Sequence, residues 1–242
     1  MRILVISDIH ANLVAFEKVL QVTKGQWDKI WFLGDLVGYG PDPNECVQLM
    51  KEQEHISLSG NHDWATLGRL DIEDFNREAK AAIEWTQNTI TEETRTYLDP
   101  LKSVEDHEPF TIAHGSPRHP VWEYILDGQT ASINFLYFHT SYCFVGHTHV
   151  PLIFEEKAGS HIAAYSPPYD TTIPLGRTRL IINPGSVGQP RDSDPRAAYA
   201  LLDSEKLQIA FHRVEYNIEE TQNRMQAHGL PERLIARLSY GW

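Results

Sequence analysis

The chain has 242 residues, a formal net charge of −12, 41% hydrophobic and 22% charged residues. That is enough chain for a full hydrophobic core within one domain over residues 1–242, and no apolar run is long enough to span a bilayer. The acidic balance argues against a surface that gathers nucleic acid by counterion release, so no stable nucleic-acid binding and no membrane insertion are expected.

Met1 to Ser7 reads as a buried strand that ends in an acid, with no signal-peptide cleavage pattern behind it, and a cytoplasmic location is expected. Asn12 is placed to cap a helix with Leu13, Phe16 and Leu20 on one face. Lys29 to Leu33 is the next strand. Asp42-Pro43-Asn44-Glu45 then offers an N-cap, a proline at the first helical position and a glutamate for a capping box. Ile56 to Leu58 is a short strand ending at Gly60. From Asp71 to about Leu98 the pattern predicts two helices, packed through Phe75, Ala79, Ala82, Ile83 and Trp85, with Thr91 restarting the second.

Phe110 to Ala113 and Tyr142 to Val145 return to strand, with a helix over Thr130 to Phe138 between them. Leu152 to Phe154 is expected to begin a second sheet. Lys157 to Arg177 mixes Gly, Ser, Pro and Tyr without periodicity and reads as a long loop or irregular hairpin. Arg179 to Ile182, Ala198 to Leu202 and Leu207 to Val214 are predicted strands, and Ile218 to His228 and Pro231 to Leu238 terminal helices. Cys46, in a predicted helix, and Cys143, in a predicted strand, suit reduced thiols in a reducing compartment.

Five blocks carry the chemistry: Asp8-Ile9-His10, Gly34-Asp35, Gly60-Asn61-His62-Asp63, His114-Gly115 and Gly146-His147-Thr148-His149. Each follows an apolar run, and each offers hard oxygen or imidazole nitrogen with no soft thiolate. On extended backbone, residues two apart point the same way, so Asp8 and His10 can grip one cation. His147 and His149 do the same if the backbone stays extended, or reach neighbouring ions if it twists. A carboxylate such as Asp35, using both oxygens, can bridge two divalent ions about 3.5 to 4 Å apart.

These blocks resemble the signature of the calcineurin-like metallophosphoesterase superfamily over most of the first 150 residues. The resemblance implies an α/β fold, a four-layer α/β/β/α sandwich of two mixed β-sheets flanked by helices. It also implies a dinuclear phosphoric ester hydrolase in which a metal-bridging hydroxide attacks phosphorus. By the same resemblance Asp8, His10, Asp35 and His149 hold one metal, and Asp35, Asn61, His114 and His147 hold the other. His62 is then left to protonate the leaving group or stabilise the transition state, with Asp63 as its orienting partner or, alternatively, a helix cap. The donor set suits Mn, Fe, Zn or Ni, with Mn favoured for activity.

In the protein serine/threonine phosphatase branch, an acid-arginine pair follows the second block; here Gly38-Tyr39 stands in its place. The chain therefore looks closer to the small bacterial phosphoesterases and phosphodiesterases, acting on a phosphorylated small molecule or nucleotide-like substrate. His114-Gly115-Ser116-Pro117-Arg118 and Asn183-Pro184-Gly185-Ser186-Val187-Gly188-Gln189-Pro190-Arg191 also resemble that branch. Arg118 and Arg191 are candidate phosphate clamps or else solvated turn residues. Asn12 and Tyr39 complete the candidate substrate-binding set, Asn12 having the rival role of helix cap. The other histidines, including His55, His119, His139, His161, His212 and His228, are assigned to surface or packing, and the tryptophans to core or interface rather than a base-stacking stripe. The rival functions are a non-catalytic scaffold on the same fold and a nuclease.

Overall fold

The computed structural model describes residues 1–242, the side chain of Ser160 apart. The first half of the chain runs β1 (Arg2–Ile6), α1 (Leu13–Thr23), β2 (Lys29–Phe32), α2 (Pro43–Lys51), β3 (His55–Ser57), α3 (Asn61–Thr66), α4 (Arg77–Thr89), α5 (Glu92–Leu98), β4 (Val104–His107) and β5 (Phe110–Ala113). The second half runs α6 (Gly128–Asn134), β6 (Tyr142–Phe144), β7 (Leu152–Glu156), β8 (Ile162–Tyr165), β9 (Thr172–Pro174), β10 (Leu180–Asn183), β11 (Ala197–Asp203), β12 (Gln208–Val214), α7 (Ile218–Ala227) and α8 (Glu232–Arg237).

Two six-stranded mixed sheets result, ordered β3-β2-β1-β11-β12-β9 and β4-β5-β6-β10-β7-β8. They pack face to face with helices outside, the four-layer arrangement expected. Strand alternation explains why the central strands are apolar throughout. Ile3 and Val5 of β1 join Phe144 and Ile182 between the sheets, while Leu4 and Ile6 face Phe16, Val19, Val47 and Met50 of the helices. On the second sheet, Cys143 and Ile181 turn outward against Ala131 and Phe135. Cys46 and Cys143 are both buried free thiols.

Several expectations need correction. The second sheet begins at β4, not at Leu152, which instead adds β7 to a sheet already started. The stretch 157–177 is a hairpin in its first half, where β8 pairs antiparallel with β7. It then crosses to the first sheet, where β9 pairs with β12. Asp42 occupies the N-cap of α2 without a side-chain cap bond; its carboxylate instead accepts from Arg224 Nη1 at 3.2 Å. Asn12 and Thr91 do cap their helices, accepting from Ala15 N and Thr94 N.

The topology places the site. β1, β2 and β3 are mutually parallel in one sheet, as are β5, β6 and β10 in the other. Parallel strands send their carboxyl ends to one rim, the usual location for ligands in such sheets. All five blocks and the 183–191 turn leave from those ends.

Candidate metal centre

The β1–β2 pairing extends into the loops: Asp8 N donates to Gly34 O and His10 N to Asp35 O, each at 3.0 Å. The second sheet joins through Gly146 N to His114 O at 2.7 Å, and the two sheets are tied by His147 N donating to Asp8 Oδ2 at 3.1 Å. Glycine is required where these loops touch. A Cβ on Gly60 would lie 2.0 Å from Asp35 Oδ1, and one on Gly146 2.0 Å from Ser7 Oγ.

The backbone is not extended here. Asp8, His10, Asp35, His147 and His149 all have φ between 49° and 64°, in the left-handed region. Asp8 and His10 nevertheless share one cluster as expected, while at His147 and His149 the twisted alternative holds. His149 groups with Asp8 and His10, whereas His147 groups with Asp35 and His114. Strained φ values of this kind collect at functional sites, where the surrounding structure holds them.

Asp8, His10 and His149 form one buried cluster; Asp35, His114 and His147 form a second. Asp35 Oδ2 lies between them, 3.6 Å from His10 Nε2 and 3.5 Å from His114 Nε2. His149 Nε2 is 3.3 Å from Asp8 Oδ1 and 3.2 Å from His10 Nε2, and His114 Nε2 is 3.2 Å from Asn61 Oδ1. His62 also falls within reach of His10 and Asp35. Its backbone N–H donates to Asp35 Oδ1 at 2.9 Å.

A divalent metal fits these donors. His10, His114 and His149 each turn Nδ1 to a backbone carbonyl, of Val37, Leu33 and Gln189. Each Nδ1 thus carries the proton and each Nε2 presents its lone pair to the cluster, the arrangement of ligating histidines. Asp8 Oδ1, Asp35 Oδ2 and His147 Nε2 are buried without a hydrogen-bond partner among the described residues. Buried carboxylates left unpaired are costly, and a cation satisfies them.

The electrostatics agree. Burial pushes His10, His62, His114 and His147 below the usual histidine value, and burial with the nearby Arg191 guanidinium takes His149 down to about 4. The neutral form is thereby favoured in His10, His114, His147 and His149, as ligation requires. Burial and the neighbouring Asp63 and Asp8 carboxylates push Asp35 well up; burial raises Asp8 too, but His149, His114 and Ser7 together outweigh it and hold Asp8 low.

The remaining site candidates divide. Asp63 makes no bond to His62. Its Oδ1 accepts from Leu36 N and Val37 N, and its Oδ2 from Asp35 N and Gly60 N, so it clamps the Asp35 loop to the start of α3. Asn12 is saturated: Oδ1 accepts from Ala15 N and Thr221 Oγ1, and Nδ2 donates to Gly188 O and Tyr216 Oη. It has no atom left for substrate and joins α1 to the 183–191 turn. Arg118 is ion-paired with Glu123, a support rather than a free clamp.

Tyr39 and Arg191 do reach the centre. The Tyr39 ring lies 4.7 Å from His10 and 4.2 Å from His62. Arg191 lies over Tyr39 at 5.9 Å, holds Gln189 Oε1 through Nη2, and buries an Nε that has no partner. Two residues were invisible in the sequence. Tyr124 stacks on His147 at 3.9 Å. Arg237 of α8 is lowered to about 10 by burial and by the like charge of Arg191, against the opposing effect of Tyr39 and Tyr124. Neither belongs to a motif; only the packing of distant segments brings them here.

Residues 1–207 match the model of the calcineurin-like phosphoesterase superfamily domain. The chain is 36% identical over 246 residues to the protein MJ0912 of Methanocaldococcus jannaschii, covering 99% of this chain and 98% of that one. Its structure is similar to the metallophosphoesterase from Sphaerobacter thermophilus, with a TM-score of 0.91 and 50% identity over 100% of this chain and 99% of the other. It shares its fold with the Pyrococcus horikoshii OT3 protein PH1004, with a TM-score of 0.80 and 23% identity over 100% and 98% of the two chains.

Proposed function

The chain belongs to the calcineurin-like phosphoesterase superfamily, and on that premise we propose that it hydrolyses a small phosphodiester or phosphomonoester at a centre of two divalent transition-metal ions. The carrying observation is Asp35 Oδ2, buried, unbonded and central to two donor clusters. Asp8, His10, Asp35 and His149 would hold one ion; Asp35, Asn61, His114 and His147 would hold the other. Mn, Fe, Zn and Ni all suit this donor set, with Mn expected to support activity.

Bound divalent cations supply Lewis acidity, offsetting charge on phosphoryl oxygens and lowering the pKa of water. The protein does the rest. His62, outside both ligand sets, delivers a proton or hydrogen bond to the leaving oxygen. Arg191 offers its unpartnered Nε to a phosphate oxygen. Asp63 keeps Asp35 and α3 in register.

A small or nucleotide-like substrate is favoured over a phosphoprotein, because Gly38-Tyr39 replaces the acid-arginine pair of the protein phosphatases. A Cβ on Gly38 would meet His62 Nδ1 at 2.7 Å, so this loop has no room for an orienting acid at that position. Residues 1–242 act as one domain in this reading: the first sheet draws β1 and β12 from opposite ends of the sequence. A cytoplasmic setting accords with the two buried free thiols. No helix is long and apolar enough to cross a membrane among the described residues, and the net charge of −12 opposes a nuclease.

The test is turnover of bis-p-nitrophenyl phosphate and p-nitrophenyl phosphate by protein loaded with manganese, iron, nickel or zinc. Turnover that disappears on chelation supports the reading; none with any metal favours a scaffold.

A further inference from the structure

Beside the proposed metal centre, three aromatic rings line one side. Phe75 meets His62 edge-on at 5.3 Å, and Trp122 lies 5.0 Å beyond Phe75. Tyr124, two residues along, stacks on His147 at 3.9 Å with the planes 24° apart. The rings thus start from His62, the proposed proton donor, and from His147, a candidate ligand. Trp122 is 38% exposed and Tyr124 44% exposed, although each has a large apolar face.

The segment carrying them is fixed. Glu123, between the two rings, turns inward and accepts from Ser116 Oγ at 2.7 Å and Asn134 Nδ2 at 2.7 Å, while pairing with Arg118. The turn closes through Gly115 N to Pro120 O at 2.6 Å, immediately after His114. A Cβ on Gly115 would lie 3.0 Å from Glu123 O, a tight approach that the glycine relieves. Rings exposed singly on a surface need no explanation. A pinned segment that presents two rings at the edge of a buried polar centre is a preorganised stacking surface, with its ordering already complete before ligand arrives.

We propose that Phe75, Trp122 and Tyr124 form a platform for a planar aromatic group, such as a nucleobase, attached to the phosphoester bound at the metal centre. The proposal rests on the phosphoester reading and narrows it to substrates with an aryl or base moiety. Base–aromatic stacking is sequence-tolerant because every base has a π-face, so the platform selects for a ring without choosing among bases. Arg191, over Tyr39, remains available to the phosphate.

The test is calorimetric binding of adenosine 5′-monophosphate and ribose 5-phosphate to manganese-loaded protein. Wild type should bind the nucleotide about tenfold more tightly than the sugar phosphate. Trp122→Ala should abolish that gap while keeping the ribose 5-phosphate affinity within about twofold, and Trp122→Phe should retain most of it. Equal affinity for the two ligands in wild type, or an undiminished gap in Trp122→Ala, overturns the platform and leaves the phosphoesterase reading standing. Loss of both ligands in Trp122→Ala also overturns it, as a structural effect. Wild type that binds neither ligand and turns over no phosphoester overturns both.

Discussion

The imidazole of His62 packs 4.2 Å from the ring of Tyr39 and has no carboxylate partner among the described residues, its buried Nδ1 remaining unbonded. Rings rather than an acid hold this histidine: Tyr39, His10 and Phe75 enclose it. Tyr39 is itself fixed by α4, α7 and α8 through Ala79, Met225 and Leu234. The C-terminal helices, far from every motif, therefore set the position of the proposed proton donor.

His62→Ala should lower kcat by about 10²- to 10⁴-fold, the range for a general acid. Metal content per chain, measured by elemental analysis, should remain that of wild type. Loss of an equivalent of metal would instead make His62 a ligand.

Asp63→Ala should act on stability before chemistry. It strips a common acceptor from Asp35 N, Leu36 N, Val37 N and Gly60 N, each buried with its loop. The cost is expected at about 3 kcal/mol or more, read as a fall in Tm with weakened metal retention. An unchanged Tm would remove the clamp from the account.

The two motif arginines should separate. Arg191→Met is expected to raise KM about tenfold by removing a charged hydrogen bond to phosphate, with Tm little changed. Arg118→Met should leave KM within about twofold and lower Tm, since it frees the Glu123 anchor. Steady-state kinetics and thermal melts on both variants distinguish the roles.

Glu123 makes a pH prediction. Burial raises its carboxyl, but hydrogen bonds from Arg118, Asn134 and Ser116 outweigh this and bring it down to about 2 from an ordinary 4.5. A folded value below the unfolded one stabilises the fold above pH 4.5, and this contribution is lost as pH falls through about 2. The Tm difference between wild type and Glu123→Gln should accordingly be full above pH 5 and shrink toward zero near pH 2.

The central strands were legible because each is apolar on both faces, as a strand covered by helices and a second sheet must be. The helix starts at Asn12 and Thr91 were legible from their caps. Asp42 misled because its carboxylate finds Arg224, 182 residues away, in preference to its own helix. β8 and β9 escaped notice because Ala163-Ala164-Tyr165 and Thr172-Ile173-Pro174 are short edge segments, half-buried or exposed, with no core face to impose alternation. At the site, the residue types were readable but not their conformation. Left-handed backbone at His147 and His149 accompanies hydrogen bonds that His147 N donates to Asp8 Oδ2 and His149 Nδ1 donates to Gln189 O, which no local pattern announces.

Asp35, central to both donor clusters, would bridge a two-ion hydrolytic centre. Its most direct measurement is the number of manganese ions bound per chain, determined alongside bis-p-nitrophenyl phosphate turnover for wild type and Asp35→Asn. Wild type should bind two ions and turn over substrate, and the variant should lose both turnover and tight two-ion binding. Turnover that survives complete chelation, or two ions retained with full activity in Asp35→Asn, would contradict a bridged two-ion centre.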